Sequence, residues 1–229
     1  MRLFFVKDFL DLVFPRNCEL CGKALFDFES NLCVPCKGTL PVTNYHLRPW
    51  DNDLKQKVEG LTQVRMVVSF LRFSKSGKSQ KLLHAIKYKG KPKVAEELGM
   101  IYGTMLKDKL FADVDYIVPV PLHLMKEKRR GYNQSEKFAQ GLSANLEIPV
   151  RQLLERVKFT DTQTEKTRLE RLENVQGVFK VKNAEMVKNS RIILVDDVMT
   201  TGATLCSCAN ELLGAGAKSV DFLTIAAGN

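Results

Sequence analysis

The sequence predicts an α/β fold with a mostly parallel sheet, set behind a small N-terminal module held together by cysteines. Three observations predict it. From residue 66 onward, short apolar runs alternate with segments whose apolar residues recur every three or four positions. One run, "RIILV" at 191–195, is apolar without interruption, as a strand covered on both faces requires. Four of the six cysteines crowd into residues 18–36 as two C-x2-C pairs.

The elements follow in chain order. "MRLFFVKDFLDLVF" reads as an amphipathic helix stopping before Pro15, since Lys7, Asp8 and Asp11 interrupt its apolar residues. It lacks the small-residue cleavage site of a signal peptide. The cysteine module comes next, and an irregular, Pro-containing stretch from 37 to 65 links it to the main domain. The division expected is 1–60 for helix, module and linker, and 61–229 for the sheet domain. "MVVSFLRF" at 66–73 predicts a strand. Leu82, Leu83 and Ile86 mark a helix stopped by Gly90, and Pro92 opens another with its stripe at Val94, Leu98, Ile101 and Met105. "VDYIVPV" predicts a strand. Phe138, Leu142 and Leu146 mark a helix after a cap region at Asn133–Ser135. "GVFKV" predicts an edge strand, "RIILV" a buried one, Leu205 to Leu213 a helix, and "SVDFLTIAA" the closing strand.

Composition bounds the function. The 229 residues carry a net charge of +9, and no apolar run approaches the roughly 18–20 residues of a membrane span. A cytoplasmic location, where thiols stay reduced, is expected. Residues 65–140 hold 16 Lys/Arg against seven acids, and the rest of the chain balances. Arg72 to Lys93 contains eight basic residues and no acid. Such a stretch fits a polyanion, nucleic acid first, with Lys87, Lys89, Lys91 and Lys93 as candidate contacts; a solvated Lys-rich face is the alternative.

Cys18, Cys21, Cys33 and Cys36 offer four soft thiolates from two tight turns. This suits tetrahedral Zn2+ in a closed, structural site, with an iron–sulfur cluster as the minor alternative. A module this small needs the metal to hold its fold. Tyr45 and Trp50, just beyond it, are expected to pack module against domain; base stacking is the other reading. Cys206 and Cys208 read as buried small hydrophobes. "SKSGKS" at 74–79 is not a P-loop, because position 72 is Arg where the motif needs Gly.

In a parallel sheet, ligands bind beyond the carboxyl ends of the strands. Asp196 and Asp197 fall there, followed after two residues by Thr200, Thr201, Gly202, Ala203 and Thr204 and then a helix. A glycine-centred loop feeding a helix N-terminus directs amides at an anion, and the threonines add hydroxyl donors. The acids repel a phosphate, so they suit hydroxyl donors elsewhere on the same ligand. A ribose 5-phosphate has that layout.

"IILVDDVMTTGAT" resembles the ribose-phosphate signature of type I phosphoribosyltransferases. The resemblance implies that Asp196 and Asp197 hold the 2- and 3-hydroxyls of phosphoribosyl pyrophosphate (PRPP), that residues 200–204 wrap its 5-phosphate, and that Mg2+ bridges pyrophosphate and ribose oxygens. "IKYKGK", "VPVPLH", "RRGYNQSEKFA", "RVKFTDTQ" and "RLENVQGVF" resemble the ComF family of competence proteins, and with the cysteine module the likeness spans nearly the whole chain. The family implies a fold of type I phosphoribosyltransferase type with a zinc-ribbon-like module. It also implies a role in natural transformation, handling single-stranded DNA beside a competence helicase of the same operon. By the same resemblance "VPVPLH" is the pyrophosphate loop, Pro119 and Pro121 shaping it unless they make an ordinary stiff turn, and His123 is a phosphate contact or merely solvated. Residues 156–173 become a closing loop carrying Arg156, Lys158, Gln163 and Arg171, or else a charged surface loop. Catalytic residues are not legible. A metabolic phosphoribosyltransferase acting on a base or ammonia, and a purely structural adaptor, are the competing functions.

Overall fold

The computed structural model describes residues 15–106, 110–158 and 177–228. The helix expected over 1–14 and most of the loop expected over 156–173 lie outside them. Four parallel strands form the central sheet: β1 (Val67–Arg72), β2 (Tyr116–Pro119), β5 (Arg191–Met199) and β6 (Ser219–Ala227), in the order β1-β6-β5-β2. A short antiparallel pair, β3 (Leu154–Arg156) and β4 (Phe179–Val181), stands apart from it. "GVFKV" is thus a strand of this ribbon and not an edge of the main sheet.

Side chains alternate along β5 in the way a doubly covered strand demands. Ile193 and Val195 join one core, with Leu223 and Ile225 of β6; Ile192 and Leu194 join the other, with Val220 and Phe222. The first face is covered by α3 (Lys78–Tyr88), α4 (Pro92–Leu106) and α6 (Gln134–Leu146). The second is covered by the short α7 (Ala184–Val187) through Val187, by α8 (Ala203–Gly214) and by α2 (Asp53–Val58) from the linker. Both outer strands are shielded. Segment 41–43 lies along β1, through Arg72 N–H to the Pro41 carbonyl and Thr43 N–H to that of Phe70, and Val150 bridges to Ile117 of β2.

The tightest helix pairing is α4 on α6, and glycine permits it. A Cβ on Gly99 would overlap the Phe138 carbonyl oxygen, and one on Gly141 would overlap that of Glu96. Backbone therefore meets backbone. Asn133 caps α6 as expected, accepting from Ser135 N–H, and Asn52, in the stretch expected to be irregular, accepts from Leu54 and Lys55 N–H at the start of α2. A further helix, α5 (Leu124–Arg130), follows "VPVPLH". Its basic residues hid it from apolar periodicity; His123 Nδ1 caps it at 3.2 Å from Met125 N.

The cysteine module, with α1 (Val34–Gly38), packs on α4. Leu32, Leu40 and three of the cysteines belong to the same apolar cluster as Leu98 and Phe138. Buried Glu97 is the anchor: its Oε2 accepts from Asn31 N–H and Nδ2–H, each at 2.9 Å, and its Oε1 lies 2.6 Å from Lys37 Nζ. Tyr45 joins both cores as expected, whereas Trp50 is mostly exposed.

Candidate functional site

Strands β2 and β5 are neighbours, yet the helices that follow them go to opposite faces: α6 to one, α8 to the other. A crevice opens where adjacent connections diverge in this way. Asp196 and Asp197 stand at its β5 side. They lie within the strand and not just past it, because β6 runs on long enough to pair Asp196 with Thr224 and Met199 with Ala227. The β2 side is formed by "VPVPLH", tied to β5 by Val120 N–H to the Val195 carbonyl at 2.8 Å. Pro119, Pro121, Leu122 and Asn133 line a small pocket of about 40 Å³ there. A larger cavity of about 410 Å³ lies at the opposite, amino end, among Lys55, Thr62, Arg65 and Ser219. Size does not decide between them, since the acid pair and the threonine–glycine loop belong to the carboxyl end.

The two acids are handled differently. Asp196 Oδ1 accepts from Ser135 Oγ–H at 3.0 Å and from the Asp197 N–H at 2.8 Å. Burial, reinforced by the charge of Asp197, pushes its carboxyl up to about 7 from 3.8, against Ser135 and Lys87, which pull it down. Asp197 Oδ2 pairs with Lys87 Nζ at 2.8 Å. Burial disfavours the Lys87 ammonium, but the charge and hydrogen bond of Asp197 outweigh it and hold the lysine above its ordinary value. Arg156 lies near: its guanidinium sits over the Phe179 ring, 5.5 Å from the centroid, with burial lowering its pKa and neighbouring Asp196 opposing that. The acids thus stay together at the end of a buried strand because a hydroxyl, a peptide N–H and an ammonium divide their charge.

Behind them the chain turns through Thr200 and Thr201 to Gly202, whose φ is +78°. That left-handed residue is the N-cap of α8 and has no side chain of its own to cap it. Thr201 Oγ1 is 3.4 Å from Ala203 N. A Cβ at Gly202 would lie 2.5 Å from Val58 Cγ1, so α2 of the linker presses on the loop from beneath. First-turn amides of a twelve-residue helix, two threonines and paired acids one loop away make a site with donors for an anion and acceptors for hydroxyls.

A model of the phosphoribosyl transferase domain matches residues 113–229. Competence protein F of Haemophilus influenzae is 36% identical over 115 residues, 48% of this chain and 49% of that protein. The chain belongs to the ComF family of phosphoribosyltransferase-like proteins. Within that family, the DNA utilization protein YhgH of Escherichia coli is 29% identical over 211 residues, covering 89% of this chain and 86% of that one. Competence protein ComFC of Bacillus subtilis is 35% identical over 119 residues, 51% of this chain and 47% of its own length. The chain therefore spans about half the length of two of these relatives and most of the third. Among solved structures, the glutamine PRPP amidotransferase of B. subtilis is similar at 20% identity and a TM-score of 0.43, over 62% of this chain and 30% of that one.

The cysteines form the second site. Their four ligand atoms lie within 4.8 Å of one another, and Cys21 Sγ is 3.7 Å from Cys33 Sγ. Zinc–sulfur bonds of about 2.3 Å in a tetrahedron put sulfurs about 3.8 Å apart, so the donor set fits zinc. Of the four lysines considered for nucleic acid, Lys87 is turned into the acid pair and Lys91 meets Glu19 at 2.6 Å; Lys89 and Lys93 are exposed. Neither Ser135 as a partner of Asp196 nor Lys87 as a partner of Asp197 follows from sequence pattern. A lysine four residues after Leu83, at the flank of a buried stripe, was the available signal. Cys206 and Cys208 are buried as expected, and no helix among the described residues is long and apolar enough to cross a membrane.

Proposed function

We propose that this protein binds a phosphoribosyl ligand, PRPP in the first place, at Asp196, Asp197 and the loop Thr200–Thr204, and serves DNA uptake by handling single-stranded DNA. The observation that carries the ligand reading is the acid pair at the β2/β5 crevice with the helix N-terminus that follows the left-handed Gly202. Ribose hydroxyls donate to the acids while the 5-phosphate takes the amides and threonine hydroxyls of the loop. Ser135 and Lys87 engage Asp196 Oδ1 and Asp197 Oδ2, leaving one oxygen of each acid for a ribose hydroxyl, and Mg2+ bound with the ligand would supply charge neutralisation of the pyrophosphate. Relatives named for competence and DNA utilization support the DNA role, as does the acid-free basic stretch 72–93. Zn2+ on the four cysteines holds the module against α4.

Calorimetry with PRPP and Mg2+ tests the ligand reading. The native chain binds, and Asp196→Asn/Asp197→Asn loses most of the affinity while its melting temperature shows it folded. Equal affinity in both removes the reading. Release of pyrophosphate with any nucleobase or with ammonia would add turnover and favour a metabolic enzyme.

A further inference from the structure

We infer that the outward face of α3 is the surface on which single-stranded DNA stacks its bases, with Tyr88 as the platform and Lys81, Lys89 and Lys93 as the phosphate contacts. The inference rests on the single-stranded DNA reading above and names the surface that would perform it.

The last turn of α3 faces two ways. Consecutive helical residues point about 100° apart, so while Lys87 reaches Asp197, Tyr88 beside it lies on another face of the helix and is exposed. Lys81, His84 and Tyr88 are spaced three and four apart, which places them on one stripe, and all three are exposed. The Tyr88 ring is 67% exposed and leans on His84 with centroids 5.1 Å apart at 45°. That contact supports one edge of the ring and leaves aromatic surface open to a base.

Four large aromatic side chains are exposed among the described residues: Phe26, Phe28, Trp50 and Tyr88. Charge separates them. Phe26 and Phe28 stack on each other, centroids 5.6 Å apart and planes 5° from parallel, with exposed Asp27 between them in sequence. Trp50 is followed by Asp51 and Asp53. The cations at these two places are tied to local partners: Arg16 lies 3.5 Å from Asp27, and Lys55 Nζ donates to the Trp50 carbonyl at 2.9 Å. Tyr88 stands inside the one stretch that has no acid over 22 residues, with Lys89 beside it and Lys93 beyond the turn. An exposed aromatic face beside basic side chains is an arrangement that holds unpaired bases without reading their sequence.

The test is fluorescence anisotropy with labelled oligothymidylate and with an abasic oligomer of the same length, at low salt, on the full chain. Tyr88→Ala should bind oligothymidylate about tenfold more weakly than the native chain and the abasic oligomer nearly unchanged. Tyr88→Trp should restore affinity, and Lys89→Glu/Lys93→Glu should weaken both oligomers. Calorimetric binding of PRPP should be unaltered in Tyr88→Ala. If the native chain binds DNA and Tyr88→Ala binds equally well, or if the loss follows Phe26→Ala/Phe28→Ala instead, this inference is overturned and the DNA reading stands. If the native chain binds neither oligomer, the DNA reading itself falls and this inference with it.

Discussion

Lys87 and Asp197 meet at the carboxyl end of the sheet, ammonium 2.8 Å from carboxylate, although one ends α3 and the other stands in β5. The pair brings a cation to two adjacent acids that would otherwise repel each other, and it joins the helix carrying the basic stretch to the candidate ligand site.

Lys87→Met should therefore cost stability. Breaking a fully buried pair costs about 3–5 kcal/mol, and the lysine side chain is a quarter exposed, so a loss of about 1–3 kcal/mol is expected. The loss should be larger at pH 8 than at pH 5, because without Lys87 the already raised Asp196 carboxyl is held further toward its protonated form. Urea unfolding at both pH values measures it; equal losses would mean the ion pair contributes nothing beyond packing.

Asp196→Asn should stabilise the fold at high pH. The folded Asp196 titrates at about 7, above its ordinary 3.8, because burial and Asp197 disfavour the anion. A raised folded pKa gives stability that is complete below the unfolded value and lost as pH rises through the folded one. From pH 4 to 8 the native chain should lose stability through this group, and the Asn variant should not. Melting curves should place the variant a few degrees higher at pH 8, on the order of 1–2 kcal/mol, and level near pH 4.

Gly141→Ala should destabilise without touching the site. The added methyl overlaps the Glu96 carbonyl oxygen, a backbone atom that cannot yield unless α4 and α6 separate. A loss of about 3 kcal/mol or more is expected by chemical denaturation, with PRPP affinity unchanged under conditions where the variant is folded.

Gly202→Ala should damage the loop for two separable reasons, a left-handed φ of +78° and a contact with Val58. The double variant Val58→Ala/Gly202→Ala removes the contact and keeps the backbone strain of about 1–2 kcal/mol. Thermal melts should show partial recovery of stability in the double variant, while calorimetry shows PRPP affinity still reduced in both.

Cys21→Ser should remove the metal and loosen the module. Metal analysis should find about one zinc per native chain and little in the variant, whose melting point falls by on the order of 10 °C. Because Leu32, Leu40 and Glu97 tie the module to α4, melting should show one shifted transition and not a separate early one.

The sequence alone determined the four strands of the main sheet, the cysteine cluster and the threonine–glycine loop, since each is written in local order, whereas the β3–β4 ribbon was not legible there. A buried parallel strand must be apolar throughout, so "RIILV" and "SVDFLTIAA" stand out. Two C-x2-C turns put four sulfurs within reach over 19 residues, and a glycine after two threonines sets the loop. Tertiary structure decided which side chains share a site. Ser135, Lys87 and Asp196 are separated by about 50 residues or more, and no spacing rule spans that distance. Only the strand order β1-β6-β5-β2, with helices leaving β2 and β5 to opposite faces, brings α6 and α3 to the acid pair. The same packing turned one lysine of a basic stretch inward and left the tyrosine beside it facing out, because neighbours on a helix point about 100° apart while sequence composition counts them alike.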